Sequence, residues 1–316
     1  MNSTRLKRIL SPLLLTVAAL IWGLAFTAQK AAQNVPAFTT GMTRSLFAVI
    51  FLFFAIIIFD KVNGSERRLV SRRGLDLNKN EIIGGAICGV VLAFASFFQQ
   101  FGINSGTDAG KSAFITALYV VLVPVYALAM KKKAPVNVWI SIAIAVVGFY
   151  FLCVTGDLTI EKSDAFILVA SMIFPLHILV IDHFSPKCDG IRMSMVQFFF
   201  CALTNFVFVL VLERGTEISI VIDAVLPLLF LGIGSSGIAY TLQIIGQKGV
   251  NPAAASIIMS LESVFGVLGA MLILGEQMNL REYLGCAIVF LAVILSQIDF
   301  KVIITKYKEN KNGKET

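Results

Sequence analysis

Apolar residues run through this chain in long blocks, interrupted by short clusters of charge and by helix breakers. The blocks fall at 9–29, 37–59, 82–103, 112–130, 136–155, 164–181, 193–212, 224–245, 252–274 and 283–300. Each has about 18 to 23 residues, the length a helix needs to cross a hydrocarbon core of roughly 30 Å. Apolar and polar residues do not alternate over stretches of about ten, as barrel strands require. The pattern therefore predicts an all-α integral membrane protein with ten transmembrane helices.

The second half of the pattern repeats the first. Trp22-Gly23 aligns with Phe174-Pro175 at an offset of 152, and Arg44 with Gln197 at 153. Gln99, Gly102, Leu118 and Tyr119 then align with Gln243, Gly246, Leu261 and Glu262 at 143 to 144, and Asn137 with Asn279 at 142. One longer loop, between Asp60 and Glu81, accounts for the fall in offset. Five spans per copy is an odd number, so the two copies enter the bilayer in opposite directions. An inverted repeat of this kind is an architecture of solute carriers. The units expected are 9–155 and 164–300, followed by a polar, disordered cytoplasmic tail at 301–316.

Composition agrees with the pattern. Of 316 residues 57% are hydrophobic and 14% charged, where soluble domains carry roughly 25% charge. The net charge of +7 has a topological explanation. With the N-terminus in the cytoplasm, 20 of the 26 Lys and Arg fall on inside segments, and only Lys30, Lys111, Lys162, Arg214 and Arg281 lie outside. That bias orients both termini toward the cytoplasm of a cell-membrane protein. It leaves no need for nucleic acid as a partner. The five cysteines have no spacing suited to zinc or to a disulfide framework, and neither cofactor nor metal is expected.

The run from Gln99 to Tyr119, with Gly102, Gly106, Asp108, Lys111 and Thr116 within it, resembles the third-to-fourth helix region of EamA-type permeases of the drug/metabolite transporter superfamily. Leu261-Glu262-Ser263-Val264-Phe265-Gly266, followed by Leu274-Gly275-Glu276, is similar to that family's ninth helix and its end, with Ser263 where the family usually has proline. The resemblance extends from Trp22 to about Ser296. It implies ten helices in an inverted five-plus-five repeat, a central cavity and movement of small metabolites, often export of amino acids or related compounds.

Polar residues at depth are the candidate substrate contacts. Glu262 lies about ten residues into its span, where an ionised side chain costs roughly 2.5 to 3.5 kcal/mol to insert. It is a candidate for proton coupling or for binding an amine, beside a structural reading as an interhelical hydrogen-bonding group. Arg44 offers a planar fork for a substrate carboxylate or phosphate; the alternatives are snorkelling or pairing with a buried carboxylate. Lys111 is a candidate at the cavity mouth or a snorkelling residue. Its Gly110-Lys111-Ser112 context fails the spacing of a phosphate-binding loop. Trp22, Gln99, Tyr119, Tyr240, Gln243 and Ser260 are placed around the cavity by the resemblance. His177 is a titratable candidate with an alternative as a satisfied interior histidine.

No span offers paired aspartates, a His-Glu-x-x-His run or a metal-holding acidic cluster, so an enzyme is not expected. The expectation is a secondary active exporter of small metabolites that works by alternating access in the lipid bilayer. The rivals are an organic-anion or nucleotide-sugar-like exchanger and a non-transporting receptor or scaffold. Nothing in the sequence sets the oligomeric state.

Overall fold

A computed structural model describes residues 3–62, 76–153, 161–274, 279–296 and 298. The expectation of a disordered tail at 301–316 lies outside these residues, as does the Gly275-Glu276 end of the ninth-helix motif. Among the described residues every regular element is helical. The helices are α1 (Ser3–Ala31), α2 (Ala37–Val62), α3 (Lys79–Asn104), α4 (Ala109–Ala117), α5 (Tyr119–Ala129), α6 (Val136–Cys153) and α7 (Lys162–Phe184). They continue as α8 (Gly190–Leu212), α9 (Ile218–Asp223), α10 (Val225–Leu229), α11 (Tyr240–Gly246), α12 (Pro252–Met259), α13 (Leu261–Leu274) and α14 (Leu280–Ser296). A π-helical segment, Phe230–Ala239, joins α10 to α11.

Among the described residues eight continuous helical stretches are long and apolar enough to cross a membrane, and Val136–Phe151 and Tyr283–Ser296 are shorter apolar helices. Two of the eight are jointed. Ala109–Ala129 is α4 and α5 with a joint at Leu118, and the other is α12 and α13 with a joint at Ser260. Both joints tighten by an i→i−3 bond, Val121 N–H to Leu118 O at 3.1 Å and Ser263 N–H to Ser260 O at 3.2 Å. Neither joint contains proline; Pro124 and Pro175 sit inside α5 and α7.

Burial runs opposite to that of a soluble domain. Large apolar side chains such as Phe54, Ile58, Phe199, Val211 and Leu226 face outward, while Arg44, Gln99, His177, Gln197, Gln243 and Glu262 are buried. With no water in a hydrocarbon core to satisfy polar groups, turning them inward is the stable choice.

Close contacts recur at the offsets read from the sequence. A Cβ on Gly89 would strike Gln197 O and Phe200 Cβ; one on Gly232, 143 positions later, would strike Arg44 O and Phe47 Cβ, each 153 positions before its counterpart. Gly102 abuts Ile167 and Ser163 O, and Gly246 abuts Leu15 and Ser11 O. The absence of side chains lets helices approach to backbone distance, where van der Waals packing holds membrane helices together.

Two carboxylates tie α2 to α8, one at each end of the pair. Asp60 accepts from Arg192 Nη2 at 3.0 and 2.8 Å. Glu213 accepts from Phe38 N–H at 2.9 Å, Thr39 N–H at 2.7 Å and the Thr39 hydroxyl at 2.8 Å, capping the start of α2. Glu213 is Asp60 displaced by 153, and Arg192 is Thr39 displaced by 153.

Candidate functional site

The two helix joints face a common cavity. It has about 510 Å³ of atom-free space, its open side included, and its wall contains Trp22, Arg44, Gln99, Thr116, Tyr119, Phe174, His177, Ser235, Tyr240, Gln243 and Glu262. Tyr119 is the first residue of α5 and Glu262 the second of α13, so each follows a joint directly. Tyr119 and Glu262 both lie on this wall. They are 143 positions apart in the chain, so each joint delivers a residue at the repeat offset to one space. Glu262 Oε1, like Gln29 Oε1 and Gln243 Oε1, is buried without a hydrogen-bond partner among the described residues.

Arg44 enters the cavity from α2. Its Nε donates to Ser236 Oγ and its Nη2 to Ser235 Oγ, both at 2.9 Å. It neither snorkels nor pairs with a described carboxylate: its side chain is 7% exposed and its hydrogen bonds go to neutral serines. The cavity therefore holds a buried cation and a buried acid that form no ion pair with each other. Ser235 also offers its carbonyl to Trp22 Nε1 at 3.3 Å. The Trp22 and Tyr240 rings lie 4.8 Å apart between centroids, and His177 meets Tyr240 edge-on at 5.6 Å.

His177 Nε2 is 3.0 Å from Gln197 Oε1. Repeat mates thus differ in role: Gln197 tethers a histidine where Arg44 presents a guanidinium. Gln99 Nε2 donates to Thr116 Oγ1 at 3.0 Å, across α3 and α4, while its mate Gln243 keeps an unpartnered oxygen.

The structure gathers Trp22, Arg44, Gln99, Tyr119, His177, Tyr240, Gln243 and Glu262 around this one space. Lys111 and Ser260 are not on its wall. Lys111 Nζ pairs with Asp164 Oδ2 at 2.6 Å, which ties the start of α4 to the start of α7. Ser260 is fully buried and its hydroxyl bonds Ile257 O at 2.7 Å, inside its own helix. Sequence reasoning missed Gln29, Thr116, Phe174 and the Ser235-Ser236 pair. The last had a signal, since two successive hydroxyls among Gly232, Gly234 and Gly237 are unusual decoration for a membrane helix. Among the described residues no group of three metal-ligating side chains converges.

A family model covers the chain twice over. The EamA-like transporter family model matches residues 9–154 and again 161–297. The chain belongs to the EamA-like transporter family. As a member of that family it is a membrane transporter of the drug/metabolite transporter superfamily. It is similar to a protein named as an uncharacterized transporter from Archaeoglobus fulgidus, at 28% identity over 92% of this chain and 86% of the relative. A second relative so named, from Clostridium kluyveri, is 20% identical over 78% of this chain and 81% of its own length. A crystal structure of another protein superposes with a TM-score of 0.69 at 15% identity, covering 90% of this EamA-family chain and 96% of the other. That last likeness establishes the fold alone.

Proposed function

We propose that the protein is a secondary carrier of small polar or amphipathic metabolites, amino acids or related compounds among them. It is built as two inverted five-helix repeats, 9–155 and 164–300, with ten membrane helices and both termini in the cytoplasm. The two halves rock about the cavity so that it opens to each face in turn. Outward movement, out of the cell, follows from the resemblance to metabolite exporters. Glu262 is its proton-coupling or amine-binding group, and the other residues of the wall bind the solute.

The observation that carries this reading is that Tyr119 and Glu262 line one cavity. Two residues 143 positions apart, the offset of the repeat, line one cavity, and each stands just past a joint in a membrane helix. Repeat-related residues that share one cavity lie about the axis relating the copies, the place where a carrier of inverted repeats keeps its substrate site. Jointed helices supply the irregular backbone that membranes tolerate only where it is buried in protein or lines a cavity. The recurrence of glycine contacts at the repeat offsets supports the same arrangement.

The test begins with metabolites to which overproduction of the protein confers resistance. These are then used for counterflow in proteoliposomes, with and without a pH gradient. Wild type is expected to exchange at least one such solute, and an imposed gradient is expected to change its accumulation. Glu262→Gln is expected to retain exchange and lose the response to the gradient. If wild type moves none of the solutes, the carrier reading fails. If Glu262→Gln behaves as wild type at every pH, coupling through this carboxyl is wrong.

A further inference from the structure

The π-helical segment makes one half of the cavity unlike the other. An i→i+5 register widens the helix and leaves backbone and side-chain groups in places an α-helix does not offer them, and such turns are frequent at functional sites. In Phe230–Ala239 the Ser235 carbonyl receives Trp22 Nε1, and the hydroxyls of the consecutive residues Ser235 and Ser236 converge on one guanidinium. Side chains at successive positions on an α-helix point about 100° apart. Gly232 and Gly237 bring this segment against Phe47, Arg44 O and Phe51 with no room for a Cβ. The grip on Arg44 is thus built from a register, two hydroxyls and close backbone approach.

Two of the three guanidinium nitrogens are held, both by neutral acceptors, and Nη1 has no partner among the described residues. A buried cation with no described counter-ion, on the wall of an open cavity, is complementary to an anion. We infer that the solute docks an oxyanion, a carboxylate or a phosphate, on Arg44, and that Ser235 and Ser236 of the π-helical segment are the positioning residues that aim this guanidinium. The inference deepens the carrier reading above and rests on it. It also explains the divergence of the repeat: the mate Gln197 bonds His177 and carries no charge, so the anion has one seat and not two.

Binding can be read without transport. Trp22 and Trp139 are the protein's two tryptophans, so a Trp139→Phe background isolates emission from the cavity wall. The purified full chain in lipid nanodiscs is titrated with phenylacetate, with phenyl phosphate and with the neutral phenylacetamide. Saturable change in Trp22 emission is expected for phenylacetate or phenyl phosphate, and which of them binds tells carboxylate from phosphate; the amide is expected to bind at least about tenfold more weakly. Arg44→Gln, which copies the residue found at the mate position, is expected to erase the preference for the anion.

Arg44→Lys keeps the charge and loses the fork, and is expected to weaken anion binding about tenfold. Ser235→Ala/Ser236→Ala keeps the guanidinium and frees it, and is expected to weaken anion binding several-fold while leaving amide binding unchanged. In counterflow with a solute found as above, the serine pair is expected to raise KM and leave the maximal rate within about twofold. Equal binding of acid and amide to wild type, no binding of either anion, or an intact preference in Arg44→Gln would overturn the oxyanion seat. A serine double variant equal to wild type would overturn the positioning role. Should anions bind while wild type moves no solute, the carrier reading fails and the seat stands.

Discussion

The α2–α8 seam and the cavity wall both draw on the two stretches that the EamA-like family model matches, yet residues related by the offset between those stretches behave differently in the two places. Along the seam the mates keep their contacts. Asp60 reaches Arg192 as Glu213 reaches Thr39, and Gly89 fits against α8 as Gly232 fits against α2. On the cavity wall the mates diverge: Arg44 against Gln197, Tyr119 against Glu262. Packing constrains the seam, because backbone contact at a glycine leaves nothing to vary. The seam keeps its contact even where charge changes, as at Arg192 against Thr39; the wall has space, and there the change from Gln197 to Arg44 leaves a guanidinium facing the cavity.

Equal weight of seam mates is the part of this contrast most exposed to test. A Cβ at Gly89 would lie 2.3 Å from Gln197 O, and one at Gly232 2.5 Å from Phe47 Cβ. Leucine at either position forces α3 off α8, or the π-helical segment off α2. Overpacking of this kind costs about 1 to 3 kcal/mol or more, read as a clearly lowered midpoint in thermal-unfolding assays. Gly110, with nothing within 4 Å of its Cβ position, is expected to accept alanine with a change under about 0.5 kcal/mol. If Gly89→Leu and Gly232→Leu differ widely, the seam is not symmetric in energy.

The carboxylate ties come next in size. Glu213→Gln weakens a charge-assisted cap on Phe38 and Thr39 N–H, and Asp60→Asn removes the charge facing Arg192. Each is expected to cost about 1 to 2 kcal/mol, read as a lowered unfolding midpoint in detergent. The two sites sit at opposite ends of the seam, so the double variant is expected to be additive within about 0.5 kcal/mol. Marked non-additivity would mean that the ends communicate along α2 and α8.

How much of this was legible in the chain depends on the distance over which each feature is encoded. Helical spans are local, and runs of apolar residues set them. The repeat was visible because offsets survive in glycines and in a few polar residues. The partners of Arg44 were not visible: Ser235 and Ser236 lie 191 and 192 residues away, and only the π register turns both toward it. The partner of Lys111 was not visible for a similar reason, since Asp164 is 53 residues on and becomes its neighbour only when α4 packs on α7. Ser260 sits at the joint itself, where a short serine turns its hydroxyl back on Ile257 O and away from the cavity. The joints at Leu118 and Ser260 leave no mark in the apolar pattern, because neither holds a proline or a glycine.

Ser263 carries the finest form of the contrast. Its hydroxyl donates to Ala113 O at 3.0 Å and so ties α13 to α4 beside the cavity, while Ser260, three residues earlier, bonds only within its own helix. Interhelical bonds of this kind in membrane proteins are worth about 0.6 kcal/mol, so Ser263→Ala is expected to lower stability by about that amount and Ser260→Ala by less. Ser263→Pro restores the residue that the resemblance leads one to expect. At the third residue of α13, a first-turn position, proline is tolerated, and what it removes is the serine hydroxyl and the single long bond to Ser260 O. A cost near 1 kcal/mol in thermal unfolding would mean that the joint is already made by the chain around it. A collapse of the fold would mean that the 3.2 Å bond to Ser260 O holds the joint, and that proline elsewhere in the family shapes a different backbone.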